Sequence, residues 1–172
     1  MRCLSIFEND RYGSAQAQSL KSLLRSNEIQ ANDVRVGKFV EVDYFSDSFL
    51  GEKIGDILKL RKVEECELEK CGRTLQELIK NGRCWEAHEV LEEIWHKANG
   101  SEKEEIHSII KVCVAVVHYQ RGNFETARRI LGEALKGGFN PEIADSLGIG
   151  FLLKKLQKPE ETALKEIAYG FE

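Results

Sequence analysis

Residues 84–96 read Cys84-Trp85-Glu86-Ala87-His88-Glu89-Val90-Leu91-Glu92-Glu93-Ile94-Trp95-His96, and their spacing decides the fold class. At roughly 100° per residue, Cys84, Ala87, Leu91, Ile94, Trp95 and Ala98 share one arc of a helix. His88 and Glu92 border that arc, and Trp85, Glu89, Glu93 and His96 lie farther round. Two ionisable side chains therefore stand at the rim of a buried face, where partial desolvation makes such groups chemically useful.

The helical pattern extends outward from this stretch. From about Val63 every periodic segment is helical, and turn residues punctuate the run. Thr74 to Lys80 stops at Asn81-Gly82, and the 84–96 helix stops at Asn99-Gly100. Ser101 with Glu104 reads as a capping box, Asn123 as the cap of the helix carrying Phe124, Ala127, Ile130, Leu131 and Leu135, and Asn140-Pro141 as an N-cap and N1 pair. Short connections predict antiparallel neighbours. The helix from Glu102 to Arg121 is apolar nearly all round, which predicts central burial. Its exceptions, His107, Lys111 and His118, share one stripe and need partners, for which His88 and Glu92 are the candidates. The pattern Gly82-x-Cys84-x-x-Ala87-x-x-Val90-Leu91-x-Glu93 returns ungapped at Gly122-x-Phe124-x-x-Ala127-x-x-Ile130-Leu131-x-Glu133, an arrangement similar to tetratricopeptide hairpins.

Ahead of the helices, Arg2 to Phe7 alternate as a half-buried strand does, and Ser14 to Ser26 carry a helical stripe. Val34–Val36 and Phe39–Phe45 are rich in β-branched and aromatic residues around Gly37-Lys38, which suits a hairpin, and a second helix follows over Leu50–Leu60. The fold class is α+β, mainly α. A small βαββα unit over residues 1–60 precedes a multi-helix bundle of antiparallel helix hairpins over residues 61–172, with strands expected only within residues 1–46. The N-terminal unit is small enough to lean on the rest of the chain or on a second copy, so a homodimer through it is an expectation.

The 172 residues carry a formal charge of -4, with 42% hydrophobic and 31% charged residues. That balance and the absence of a dense basic patch argue against nucleic acid or anionic lipid as a partner. No run of about 18 apolar residues is present to span a bilayer, and Met1 to Asn9 lacks the apolar core of a secretory signal, so the expected compartment is the cytoplasm. Of the five cysteines, Cys66 and Cys71 are the closest pair, and no zinc-finger spacing occurs. Reduced, packing cysteines are the default, with a disulfide left open. Gly148-x-Gly150 lacks the third glycine of a dinucleotide fingerprint, and Gly37-Lys38 lacks the upstream glycine of a phosphate loop.

WEAHEVLEEIW at 85–95, with HYQRGNFETA at 118–127, resembles the family catalogued as domain of unknown function 309, over about Leu75 to Leu156. The resemblance implies an all-helical bundle. Members have been described as predicted metal-dependent hydrolases, and by position the implied pocket comprises His88, Glu92, Trp95 and His118. This chain departs from the usual pattern on the central helix, where His107 and Lys111 stand in place of glutamines. An ammonium near Glu92 would supply the charge that a divalent ion otherwise supplies.

Two functional classes follow. As an enzyme, the protein is a metal-assisted hydrolase acting on a small-molecule ligand. His88, Glu92 and His118 hold a divalent transition metal, zinc matching the donors best, and Glu89 or His107 handles the proton. The pocket is then His88, Glu92, Trp95, Lys111 and His118. As a tetratricopeptide-like interaction module, it presents its helix hairpins to a protein partner, and the His/Glu cluster only sets helix packing.

Overall fold

The computed structural model describes residues 1–68 and 73–171. Two compact units are present: Met1–Gly72 together with Gln120–Gly122, and Arg73–Tyr119 together with Asn123–Glu172.

The first unit runs β1 (Arg2–Glu8), a 3₁₀ turn (Ser14–Gln16), α1 (Ala17–Ser26), β2 (Gln30–Val36), β3 (Phe39–Phe45), α2 (Gly51–Leu58) and β4 (Lys62–Glu67). All neighbouring strands are antiparallel in the order β2-β3-β1-β4, the split βαβ arrangement. Strands were expected only up to residue 46, and β4 corrects that. Its sequence, Lys62-Val63-Glu64-Glu65-Cys66-Glu67, hides the apolar alternation of a strand behind charges, as suits an edge.

Alternation gives the sheet two different faces. Cys3, Phe7, Val34, Val36, Val40, Val42 and Tyr44 join Leu20, Leu24, Ile54 and Leu58 of the two helices in one apolar core. On the other face, Asp33, Arg35, Glu41 and Asp43 are buried beside Leu4 and Ile6. Arg35 lies directly opposite Glu41 across the hairpin, its Nε donating to Glu41 at 3.0 Å and its Nη1 to Asp33 at 2.7 Å. Arg121, grouped with this unit, donates to Asp33 at 2.6 Å, and Arg2 with Asn32 donates to Asp43. Burial alone would raise the Asp33 carboxyl, but the Arg35 and Arg121 guanidiniums outweigh it and hold it below the usual carboxylate range.

A second buried knot ties β4 to α2. Glu65 accepts from Ser5 Oγ (2.8 Å), Tyr44 Oη (2.5 Å), the Gly51 amide (2.7 Å) and Lys62 Nζ (3.1 Å). Burial pushes the Glu65 carboxyl up, yet these donors win and its pKa is lowered. The Tyr44 hydroxyl is pushed far up by burial and by the neighbouring carboxylate.

The second unit is helical throughout: α3 (Leu75–Lys80), α4 (Cys84–Lys97), α5 (Gly100–Gln120), α6 (Phe124–Leu135), α7 (Pro141–Ser146), α8 (Gly150–Leu156) and α9 (Glu160–Ala168). Its core gathers Leu78, Ile79, Ala87, Leu91, Ile106, Ile109, Cys113, Val116, Ala127, Leu131, Leu152 and Leu164. The two-fold echo in the sequence is visible as geometry. Gly82 and Gly122 both take left-handed backbone, and Ala87 with Leu91 and Ala127 with Leu131 are the fully buried positions that follow.

Asn140 caps α7 as expected, accepting from the Glu142 amide at 2.9 Å. The expected Ser101 cap is corrected. The helix opens at Gly100, with the Lys103 amide reaching Asn99, so Ser101 sits inside the first turn. α5 contributes its apolar residues from Ile106 to Val117 to the helical core and buries Gln120 as well, but its polar stripe is not enclosed: His107 is exposed and Lys111 and His118 are half-buried.

Helix ends in the two units use one device differently. α3 closes as a Schellman motif, Arg83 N–H donating to Leu78 O (2.9 Å) and Gly82 N–H to Ile79 O (3.0 Å). Gly82 has φ 69°, and a Cβ there would strike the Ala168 carbonyl, so glycine is required twice over. α1 closes with the same bonds, Ile29 N–H to Leu24 O (3.0 Å) and Glu28 N–H to Arg25 O (3.1 Å), but the left-handed residue is Glu28, at φ 64°. A side chain in that conformation costs about 1–2 kcal/mol. Lys59, after α2, is the other such position among the described residues.

Cysteine chemistry departs from the default. Cys3, Cys84 and Cys113 are free and buried, but Cys66 is disulfide-bonded. Cys71 lies outside the described residues.

Candidate metal centre

The site forms on α4. Cys84, Ala87 and Leu91 bury one side of this helix, which leaves His88 on the boundary with its side chain 22% exposed. Glu89, the next residue, and Glu92, one turn on, are 51% and 46% exposed at the side chain. His88 Nδ1 lies 3.2 Å from Glu89 Oε1, and Nε2 lies 3.1 Å from Glu92 Oε1. A neutral imidazole has one N–H, so only the doubly protonated ring donates to both carboxylates at once. One ligand atom from each of the three residues falls within 4.8 Å of the others, the one such group of three His, Cys, Asp or Glu side chains among the described residues.

Other sequence-predicted residues are placed elsewhere. His118 and His107 on α5 are outside that group. Trp95 is half-buried against the helical core, with the Lys103 ammonium 4.3 Å above its ring and the His96 and His107 rings at 5.1 and 6.1 Å. Lys111 forms no ion pair among the described residues, so the anticipated ammonium on Glu92 is not formed, and the basic group beside Glu92 is the His88 imidazole. The structure thus brings together His88, Glu92 and Glu89.

One feature of α4 escaped the sequence reading. Arg83 and Glu86, at the start of the helix, form a buried two-point ion pair, Nε to Oε1 at 2.6 Å and Nη2 to Oε2 at 2.7 Å. The i, i+3 spacing of opposite charges was a signal, but such pairs are ordinary on exposed helix surfaces and their burial is set by the fold.

The donor set suits a transition ion. An imidazole and two carboxylates are zinc-type ligands, and three protein ligands leave a coordination position open. Binding requires the His88 ring to release at least one carboxylate, since both of its nitrogens face an oxygen. Ion and proton therefore compete for the same atoms.

Fold and site together define a mainly helical α+β protein with a His/carboxylate cluster on the rim of a helix. Residues 73–130 match the family model described as domain of unknown function (DUF309), a segment that takes in α3, α4, α5 and the first half of α6. The family resemblance read from residues 85–95 and 118–127 falls inside this segment, and the three clustered side chains do as well. No curated protein and no solved structure matches the chain. Among the described residues, no helix is long and apolar enough to cross a membrane.

Proposed function

We propose that the helical unit binds a divalent transition metal, zinc by preference, through His88, Glu89 and Glu92, and that this open site serves a metal-dependent hydrolase. The supporting observation is the convergence of three ligand atoms on one helical turn. Such an ion supplies Lewis acidity for hydrolysis. His88 and Glu92 hold their positions through α4, and Glu89, the most exposed of the three, has the freedom to exchange between ligand and proton acceptor. His118 and Lys111 stand on α5 as candidates for substrate contact.

A second reading rests on the same distances. His88 already has a carboxylate at each nitrogen, so the trio is self-satisfied and could simply decorate the surface of an interaction module. Elemental analysis of protein purified without an affinity tag separates the two. The metal reading expects near-stoichiometric zinc that survives dialysis and vanishes in the His88→Ala, Glu92→Ala double variant. Protein free of metal, with no rise in Tm on adding zinc, manganese or nickel, would overturn it.

A further inference from the structure

The α/β unit contains a cleft of about 530 Å³, within the size range of small-molecule sites, that the metal reading does not use. Arg25 and Glu28 line it from the end of α1, Gln30, Ala31 and Asn32 from the entry to β2, and Phe45 from the end of β3. Gln30 and Phe45 are direct cross-strand partners, so amide and ring stand side by side on one face of the sheet.

The charges in this cleft do not meet. Arg25 lies in the last turn of α1 and Glu28 two residues past its end in left-handed backbone, and the two form no ion pair. Arg25 Nε is spent on the Ala31 carbonyl at 3.0 Å, which aims the guanidinium, and its two terminal amino groups have no partner among the described residues. The Glu28 carboxylate likewise has none, and its backbone is held left-handed at φ 64°, where α3 uses glycine. Asn32 gives its Nδ2 to Asp43 at 3.1 Å, which fixes the amide and leaves its carbonyl oxygen as an acceptor. Phe45 is 47% exposed, a large apolar ring at the edge of a polar cleft.

A cation aimed by its backbone contact, an exposed carboxylate that does not neutralise it, an acceptor and an exposed ring are the complement of a zwitterion with an apolar side chain. We propose that this cleft binds a free α-amino acid with an aromatic or large aliphatic side chain. Its carboxylate pairs with the terminal guanidinium nitrogens of Arg25, a two-point geometry that arginine offers and lysine does not. Its ammonium meets Glu28 and the Asn32 carbonyl, and its side chain packs on Phe45. The site stands independently of the metal centre and would survive the failure of that reading.

The test is titration of the full chain with L-phenylalanine and L-leucine at millimolar concentration, followed by calorimetry and by backbone amide shifts of residues 30–32 and 45. Saturable binding with shifts confined to the cleft is expected. Phenethylamine and 3-phenylpropanoate, each missing one charge, should bind at least about tenfold more weakly. Arg25→Gln and Glu28→Gln should each lose about tenfold in affinity for L-phenylalanine. Glu28→Gly guards against a folding artefact, because it removes the carboxylate while relieving left-handed strain. Its Tm should hold or rise while its affinity falls. Absence of saturable binding by either amino acid, equal binding of 3-phenylpropanoate, or wild-type affinity in both charge variants would each overturn the proposal.

Discussion

The sheet network and the α4 trio both set carboxylates beside basic side chains, but at opposite extremes of solvent access. In the sheet, Arg35, Glu41 and Asp43 are sealed away, Arg35 against Glu41 and Asp43 against Arg2. On α4, Glu89 and Glu92 reach His88 from positions about half exposed. Buried ions cannot lose a partner without stranding the other, so the sheet network fixes strand register and is closed to ligands. The α4 trio gives up little when it rearranges, which is what an ion needs if it is to displace a proton. Chemistry belongs where charge is inexpensive to move, and structure where it is not.

The largest expected effect tests the closed end of this contrast. Arg35→Met keeps length but leaves Glu41 buried without its cation. Stability should fall by about 3–5 kcal/mol in denaturant titrations followed by circular dichroism. A loss under about 1 kcal/mol would mean that the network is not an energetic knot at all. Next comes Glu65→Gln, which weakens the acceptor shared by Ser5, Tyr44, the Gly51 amide and Lys62 and should cost about 1.5–3 kcal/mol.

That variant also carries a pH signature. The Glu65 and Asp33 carboxyls titrate below their ordinary values in the folded chain, so the unfolded chain takes up protons first as pH falls. Their stabilisation is present in full above the ordinary carboxylate range and drains away as pH drops through the folded pKa. Wild type should therefore lose stability steeply on acidification, and Glu65→Gln less steeply. Parallel acid slopes would remove Glu65 from the account.

The smallest effect sharpens the open end. Glu92→Gln should change the stability of chelator-stripped protein by no more than about 1 kcal/mol, because the pair with His88 is half in water. It should also abolish any rise in Tm caused by zinc. A loss of several kcal/mol would mark the α4 trio as structural after all, and the contrast between the units would collapse.

Sequence periodicity revealed the hairpin at Gly37-Lys38, both helices of the first unit and the segmentation of the second as far as the start of α7, because each rests on local spacing and turn chemistry. β4 was illegible for a physical reason. Glu65 in a strand reads as solvent-facing, and its burial depends on Ser5, Tyr44 and Gly51, none of them near it in sequence. The sheet network had a local signal that valines masked. Asp33 and Arg35 alternate with Val34 and Val36, and Glu41 and Asp43 with Val42 and Tyr44, so ionisable residues face one another across the turn. At the site, i, i+4 spacing paired His88 with Glu92, whereas Glu89 was placed farther round. A long flexible carboxylate beside the ring reaches Nδ1 regardless of helical angle. His107 misled because its helix is apolar all round, and sequence alone does not show which turns of such a helix project from the core.

The buried pair of Arg83 and Glu86 bears on how α4 can move. With Arg83 also turned by the tight closure of α3, the first turn of α4 is clamped at backbone and side chain alike. A helix held so at one end resists rolling about its axis, which favours one azimuth for His88 and Glu92. On the proposed metal reading, an ion need reorient only side chains, so its capture should be fast and should leave the backbone trace unchanged.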